Sequence, residues 1–365
     1  MAGIYISWPF CAQKCTYCNF ASGVQPKELE DQYIPALQAE YAAHRWQWTP
    51  ETLYLGGGTP SALEPERIPQ LLSGLPGRPW REATLEAAPG SLNPEKLAAW
   101  VAGGINRASL GVQSFNKAEL ARTGRKHDAE TVRRDVSLLR DFGIGNINLD
   151  LISGLPGQTE QSWRVSVEAV IALEVPHVSV YMLEVDDDSR LGAEIILGGK
   201  RYGAFDVPGD DEIAGFYEYA VEELARHGIA RYEISNFARP GMESLHNLKY
   251  WKREPYVGFG SDAHSFDGTM RWQNVETARK YVDKWRKSEP IRAETSRPNP
   301  VEEKFFVGLR LAEGVEPDNQ DWERFGPAFE RFLAGGVMER DGSRLRLTAR
   351  GMMISNEIFE EFLVA

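Results

Sequence analysis

Three cysteines open the case for chemistry. Cys11, Cys15 and Cys18 stand at the spacing Cys-x3-Cys-x2-Cys, just after an apolar stretch and a proline, and the sequence holds no other cysteine. Thiolates this close on one loop suit an iron–sulfur cluster, which commonly has four of them. Three can hold three irons of a cubane and leave the fourth open, and an open iron is a reactive site rather than an electron wire. Zinc is the competing metal. A structural zinc takes four ligands, usually from two paired knuckles. Here there is no second cysteine pair, and no histidine lies nearer than His44.

The second feature is Gly56-Gly57-Gly58-Thr59-Pro60. Glycines let a backbone approach a ligand closely, and they also serve plain tight turns. No Gly-Lys-Ser/Thr follows, so a phosphate-cradling P-loop is not supported. The third feature is a set of polar residues, Glu86, Gln113 and Asp150, expected towards the C-terminal ends of strands, with Arg125 in a following loop. Ligands gather at that edge of parallel α/β folds. Asp150 lies between Leu149 and Leu151, and a carboxylate among apolar neighbours costs free energy unless it is paired or bound. One shared polar ligand accounts for all four residues.

The elements that position these residues alternate strand and helix. Strands are predicted at 3–7, 52–55, 83–87, 107–112, 146–152 and 177–183. Helices are predicted at 27–46, 65–73 and 129–142, with another that Asn93 caps and Pro94 opens. At Gly104, Gly143 and Gly228 a helix ends, an isoleucine follows and a strand begins, a recurrence that argues for βα units and a parallel sheet. Residues 184–210 lack periodicity and read as a solvated loop. One helical face runs through 211–227. Residues 229–275 read as short strands and aromatic-rich loops. Ser296–Pro300 reads as a linker. Beyond it, two helices, a hairpin around Asp341-Gly342 and a final helix suggest a small winged-helix-like module.

Composition is that of an ordinary globular chain, 42% apolar and 26% charged, so wholesale disorder is not expected. A formal charge of −12 argues against nonspecific nucleic-acid binding, which rests on neutralising phosphates. No apolar run approaches the roughly 20 residues of a membrane helix. Nothing at the N-terminus resembles a signal peptide. Three clustered cysteines make a poor disulfide framework, and a labile cluster needs thiolates, so a reducing cytoplasm is the expected location.

The cysteine spacing, with Tyr17 before Cys18, resembles the signature of the radical S-adenosylmethionine (SAM) superfamily. That resemblance implies a 4Fe–4S cluster on Cys11, Cys15 and Cys18, with SAM on the open iron. It also implies SAM contacts at Tyr5, Tyr17, Gly57, Gly58, Thr59, Glu86, Gln113, Arg125 and Asp150. Gly111–Asn116, Asn148–Pro156 and Gly258–His264 are similar to the oxygen-independent coproporphyrinogen III oxidase group, which holds both the oxidases and the HemW-type heme chaperones. Three features favour the chaperone branch. The oxidases carry a fourth cysteine two residues after the third, where this chain has Phe20. They have an N-terminal arm ahead of the cluster strand, where this chain starts that strand at Gly3. The segment His246-Asn-x-x-Tyr-Trp251 matches a motif that the chaperone group associates with heme. Four positions depart from the pattern: Ser7 stands in place of histidine, Trp8 in place of a branched aliphatic residue, and Ser261-Asp262 in place of small residues.

The resemblance implies an α/β fold: a partial (βα)6 TIM-like radical SAM barrel over 1–185, an α/β extension over 186–295 and a helical domain over 296–365. It implies a heme chaperone that binds heme through His246 and hands it to a hemoprotein acceptor, with an electron donor for the cluster. Tyr250, Trp251 and Tyr256 would suit the flat macrocycle or a plain core, and Lys249, Lys252 and Arg253 its propionates or a solvated face. The rival reading is a porphyrinogen oxidase that decarboxylates two propionates. A third is a zinc-stabilised α/β protein.

Overall fold

Along six strands most alternate positions are polar, and this alternation dictates the architecture. The strands are β1 (Ala2–Trp8), β2 (Pro50–Gly57), β3 (Glu82–Ala87), β4 (Arg107–Gln113), β5 (Asn146–Ser153) and β6 (His177–Met182). In the computed structural model, which describes residues 2–363, they pair in parallel and in sequence order. Their apolar set, including Ile4, Ile6, Leu53, Leu55, Leu110, Leu149 and Val178, is buried. It forms one core with the apolar faces of α1 (Lys27–Ala43), α2 (Arg67–Leu72), α3 (Pro94–Gly103), α5 (Ala129–Asp141) and α6 (Glu160–Ala172). The polar set points into the lumen, where Tyr5 stacks on Tyr54 and Asn148 reaches Ser109, Asp150 and Ser179. A one-residue slip would exchange the two sets, so burial of the apolar face pins the register.

The helix ends follow their caps. Asn93 accepts from the Lys96 amide, and Gly104 closes α3 at φ 90°. Two helices that periodicity does not mark carry good caps. Asn116 opens α4 (Lys117–Thr123), and Thr159 and Ser162 form a capping box at α6.

Residues 184–210 are not simply a solvated loop. Ser189 accepts from the Gly192 amide and starts α7 (Arg190–Ile196), and a 3-10 segment follows at Arg201–Asp206. Leu191 is fully buried, and its amide bonds to the Thr16 carbonyl in the cysteine loop. Seven residues, about two turns of helix, are too few for periodicity to register.

The next stretch widens the sheet at both edges. After α8 (Asp210–Arg226), β7 (Ala230–Arg231) and β8 (Asn236–Ala238) add antiparallel strands beside β6. After α9 (Leu245–Trp251), β9 (Tyr256–Phe259) pairs in parallel with β1. Then β10 (His264–Phe266), β11 (Arg271–Asn274) and, beyond α10 (Ala278–Arg286), β12 (Arg292–Ser296) complete a twelve-stranded mixed sheet. The remainder is α11 (Pro300–Phe306), α12 (Asn319–Ala334), the hairpin β13 (Met338–Asp341) and β14 (Arg344–Leu347), and α13 (Ala349–Met353) and α14 (Ser355–Glu360). This helical part has its own core of Phe305, Phe325, Phe329, Leu345 and Phe362. Among the described residues no helix is long and apolar enough to cross a membrane.

Candidate functional site at the barrel rim

The chain leaves β1 at Trp8, and the cysteine loop begins. Its neck is closed by two backbone bonds, Cys11 N–H to the Gly23 carbonyl and Gly23 N–H to the Pro9 carbonyl, both 3.0 Å. The glycine run lies along the same neck: the Gly58 amide donates to the Trp8 carbonyl at 2.8 Å and the Thr59 amide to the Phe10 carbonyl at 2.9 Å. Gly57 adopts φ +104°, which favours glycine. A Cβ on Gly58 would stand 2.7 Å from two carbonyl oxygens and 3.0 Å from Cys11 Sγ. Close approach to the cysteine loop is therefore what this glycine provides.

The far side of the loop is tied to α4 and α7. Gln13 Nε2 donates to the Gly124 carbonyl at 2.7 Å, Arg190 donates to the Lys14 carbonyl, and Asn19 Nδ2 donates to Asp186 at 3.1 Å. Cys15 and Cys18 line a cleft of about 500 Å³ with Lys14, Asp188 and Arg190. All three cysteines are free and partly exposed. Burial raises the Cys18 thiol above its ordinary range. Among the described residues no three His, Cys, Asp or Glu groups stand close enough to hold a metal ion. The donor set fits an iron–sulfur cluster in its chemistry, three thiols on one loop, and the bound metal has to draw them together.

Next to the loop, Tyr17, Arg125 and Cys15 interact; burial raises the Tyr17 phenol, and Arg125 opposes that rise. Arg125 Nη1 donates to the Gly111 carbonyl at 2.6 Å. Gln113 ends β4 at φ 68°, in the left-handed region. Gln113 Oε1 and Arg125 Nε are buried without a hydrogen-bond partner. Orphaned buried polar atoms are uncommon, and these two face the rim that the sequence assigned to a polar ligand.

Glu86 accepts from Tyr54 OH at 3.0 Å and from the Gly57 amide at 3.1 Å. Burial, and then the neighbouring Asp150, push its carboxyl up to about 7. Asp150 accepts from Asn148 Nδ2 at 2.7 Å and Ser109 Oγ at 3.3 Å, and burial raises it too. A built Cβ on Gly57 would lie 3.5 Å from Tyr5 OH, and one on Gly56 would lie 2.8 Å from Glu86 Oε1. The structure thus brings Tyr5, Tyr17, Gly57, Gly58, Thr59, Glu86, Gln113, Arg125 and Asp150 to one end of the strands, around the cysteine loop. Sequence reasoning missed Tyr54, Ser109 and Asn148, which hold the two carboxylates. Their signal was the polar alternation along the strands.

Two of the departures from the family pattern, Trp8 and Ser7, lie in different settings. Trp8 packs against Phe10 and Tyr33 in the outer core, away from the lumen. A Cβ on Gly57 would lie 3.4 Å from Ser7 Oγ, so Ser7 borders the site.

His246 is not on a loop. It lies in α9, which Ser244 caps, and it is wholly buried at the opposite, N-terminal end of the strands beside Gly3 and Thr52. Both ring nitrogens are engaged: Nδ1 with Thr52 Oγ1 and Nε2 with Tyr250 OH, each at 2.9 Å. Burial pushes its pKa down to about 3. In this conformation neither nitrogen is free to reach an iron. The buried Glu82 carboxylate anchors the helix start by accepting from Ser244 Oγ and from the Leu245 and His246 amides.

The neighbours of His246 also have partners. Lys249 is neither solvated nor free; it is buried between Glu51 and Glu254. Tyr250 packs edge-on against Tyr256 at 4.7 Å, and the Arg310 guanidinium covers Trp251. Arg253 donates to the Pro300 carbonyl.

Known proteins match this arrangement closely. The family profile of the radical SAM superfamily matches residues 5–170, and that of the HemN C-terminal domain matches 295–354. The chain is 34% identical to the heme chaperone HemW of Lactococcus lactis, over 99% of this chain and 97% of that one. It is likewise 34% identical to the heme chaperone HemW of Bacillus subtilis, over 100% of this chain and 99% of that one. Among solved structures, the radical SAM coproporphyrinogen III oxidase HemN of Escherichia coli superposes with a TM-score of 0.83 at 23% identity, covering 99% of this chain and 89% of that one.

Proposed function

The chain belongs to the radical SAM superfamily and, within it, to the family of the heme chaperone HemW; from that premise we propose that it binds heme, a 4Fe–4S cluster and SAM, and delivers heme to a hemoprotein. The observation that carries the reading is likeness to heme chaperones over the full length, in a chain with Phe20 where a fourth cysteine would stand. The likeness to HemN supports a shared fold and adds nothing specific to the oxidase reading.

In this proposal Cys11, Cys15 and Cys18 hold the cluster. Tyr5, Tyr17, Gly57, Gly58, Thr59, Glu86, Gln113, Arg125 and Asp150 hold SAM, and the domain limits are 1–185, 186–295 and 296–365. Cluster and SAM together would supply one-electron chemistry. The chain's own part is to position them: Gly58 lets the glycine run lie against Cys11, Tyr54 and the Gly57 amide fix Glu86, and Asn148 and Ser109 fix Asp150.

SAM carries a positive charge, and a cation beside Glu86 favours the carboxylate. With Glu86 near 7, binding at pH 7 therefore releases about half a proton, and less as the pH rises. Calorimetry in buffers of different ionisation enthalpy measures this. Glu86→Gln removes the release; an unchanged proton count in that variant rejects the assignment.

Heme iron reaches His246 only if a ring nitrogen gives up its partner, Tyr250 for Nε2 or Thr52 for Nδ1. Hemin titration is expected to shift the Soret band of the wild type, and His246→Ala to abolish the shift. Tyr250→Phe removes the competing hydrogen bond, worth about 1 kcal/mol, and is expected to tighten hemin roughly fivefold. No shift in the wild type sinks the heme reading; a full shift in His246→Ala sinks His246 as the ligand and leaves the carrier intact.

A further inference from the structure

A chain of hydrogen bonds with a buried middle runs through the lumen from the rim to the floor, and all its donors point the same way. Asn148 Nδ2 donates to Asp150 at 2.7 Å. Asn148 Oδ1 lies 2.6 Å from His177 Nδ1, and His177 Nε2 lies 2.9 Å from Tyr232 OH. The Ser244 amide donates to that hydroxyl oxygen at 3.2 Å. Asn148, His177 and Ser244 are each no more than 2% exposed, and Asp150 and Tyr232 are half-buried, so water is excluded from the middle of the chain.

Chemistry fixes the direction. The Asp150 carboxylate requires the Asn148 amide nitrogen on its side, which turns the amide oxygen towards His177. His177 must then carry its proton on Nδ1 and accept on Nε2. Burial, and then Arg107, hold this imidazole neutral, as one donor and one acceptor require. Tyr232 donates to Nε2, which leaves its oxygen to accept from Ser244. Reversal of any one link would set donor against donor or acceptor against acceptor inside the barrel. Ser244 is the N-cap of α9, the helix that carries His246.

We propose that this chain couples the two ends of the barrel: occupancy of the Asp150 carboxylate at the rim is conducted through Asn148, His177 and Tyr232 to the N-cap of α9, so that SAM controls how readily the floor helix opens. The inference rests on SAM lying at Asp150. Coupling of this kind is reciprocal, so opening of α9 weakens SAM by the same factor.

The test uses full-length protein with reconstituted cluster. SAM affinity is measured by calorimetry, and amide exchange is followed in the segment 244–251. In the wild type, SAM is expected to slow exchange in α9 about fivefold or more, at the lower end of ordinary allosteric couplings. Tyr232→Phe breaks the chain far from Asp150, so SAM affinity should stay within about twofold of the wild type while the α9 response disappears. His177→Asn retains a donor at the Nδ1 position only and should give the same split. A histidine with a merely structural role would change affinity and helix protection together. An α9 that ignores SAM in the wild type, or that still responds in whichever of the two variants folds, overturns the proposal. Failure of the wild type to bind SAM overturns the underlying assignment, and this inference with it.

Discussion

Cys15→Ala is expected to abolish the cluster while leaving the apo fold almost untouched. Anaerobic reconstitution should yield wild-type protein with iron and sulfide in cluster proportion, and the variant with background amounts of both. The loop has no ligand in reserve. The sequence holds three cysteines, and among the described residues no other His, Cys, Asp or Glu cluster is placed to take over. Asp188 is the one carboxylate lining the cleft beside Cys15, and a lone hard oxygen is a poor substitute for a thiolate. The fold should be indifferent because Cys15 is partly exposed, and a substitution there is worth well under about 1 kcal/mol. Thermal unfolding of the two apo proteins should coincide. Full iron and sulfide in the variant would mean that another set of atoms holds the metal.

Gly58→Ala should act in the opposite way, on the protein first. Its Cβ would stand 2.7 Å from the Trp8 and Phe10 carbonyl oxygens. Both are backbone atoms, fixed by the bonds that tie the glycine run to the neck of the cysteine loop. Neither can swing aside as a side chain can, so the neck must open. Overpacking of this kind costs about 1–3 kcal/mol, and displacement of the neck hydrogen bonds adds to it. Gly143→Ala is the control. Gly143 follows the end of α5, at φ +81°, and a Cβ there meets nothing within 4 Å, so its cost is the conformational one of about 1 kcal/mol. Denaturant midpoints of the two variants should differ in that order. Gly58→Ala should also lose cluster on dilution faster than the wild type. Equal stabilities would show that the loop neck is not packed as described.

Much of this molecule was legible because chemistry restricts residue type. Only thiolates bind such a cluster, only a residue without a Cβ fits against the Cys11 neck, and only a repeating β-then-α pattern builds the parallel sheet. The polar alternation Glu82, Thr84, Glu86 and Arg107, Ser109 also stood in the sequence, and it announces a polar lumen. Other features depend on partners far along the chain. Lys249 looks like a surface lysine until Glu51, 198 residues away, is seen beside it. His246 looked like a loop ligand because α9 is seven residues long and its N-cap is satisfied by Glu82, a residue of another strand. The helix at 190–196 escaped for a similar reason: about two turns show no clear period, and its reason for existing is the cysteine loop it packs on. The zinc reading has no second set of ligands among the described residues to support it.

The place of β1 has a consequence for biosynthesis. The strand that leads into the cysteine loop is translated long before one of its two partners, since it sits inside the sheet between β2 and a strand that begins at Tyr256. Until that distant segment has been translated, one flank of β1 offers unpaired backbone groups, and the three thiols hang from an unfinished edge. A cluster on that loop would therefore have to wait for the segment around Tyr256. Until then the nascent protein depends on its surroundings to keep that edge from pairing elsewhere and those thiols from oxidising.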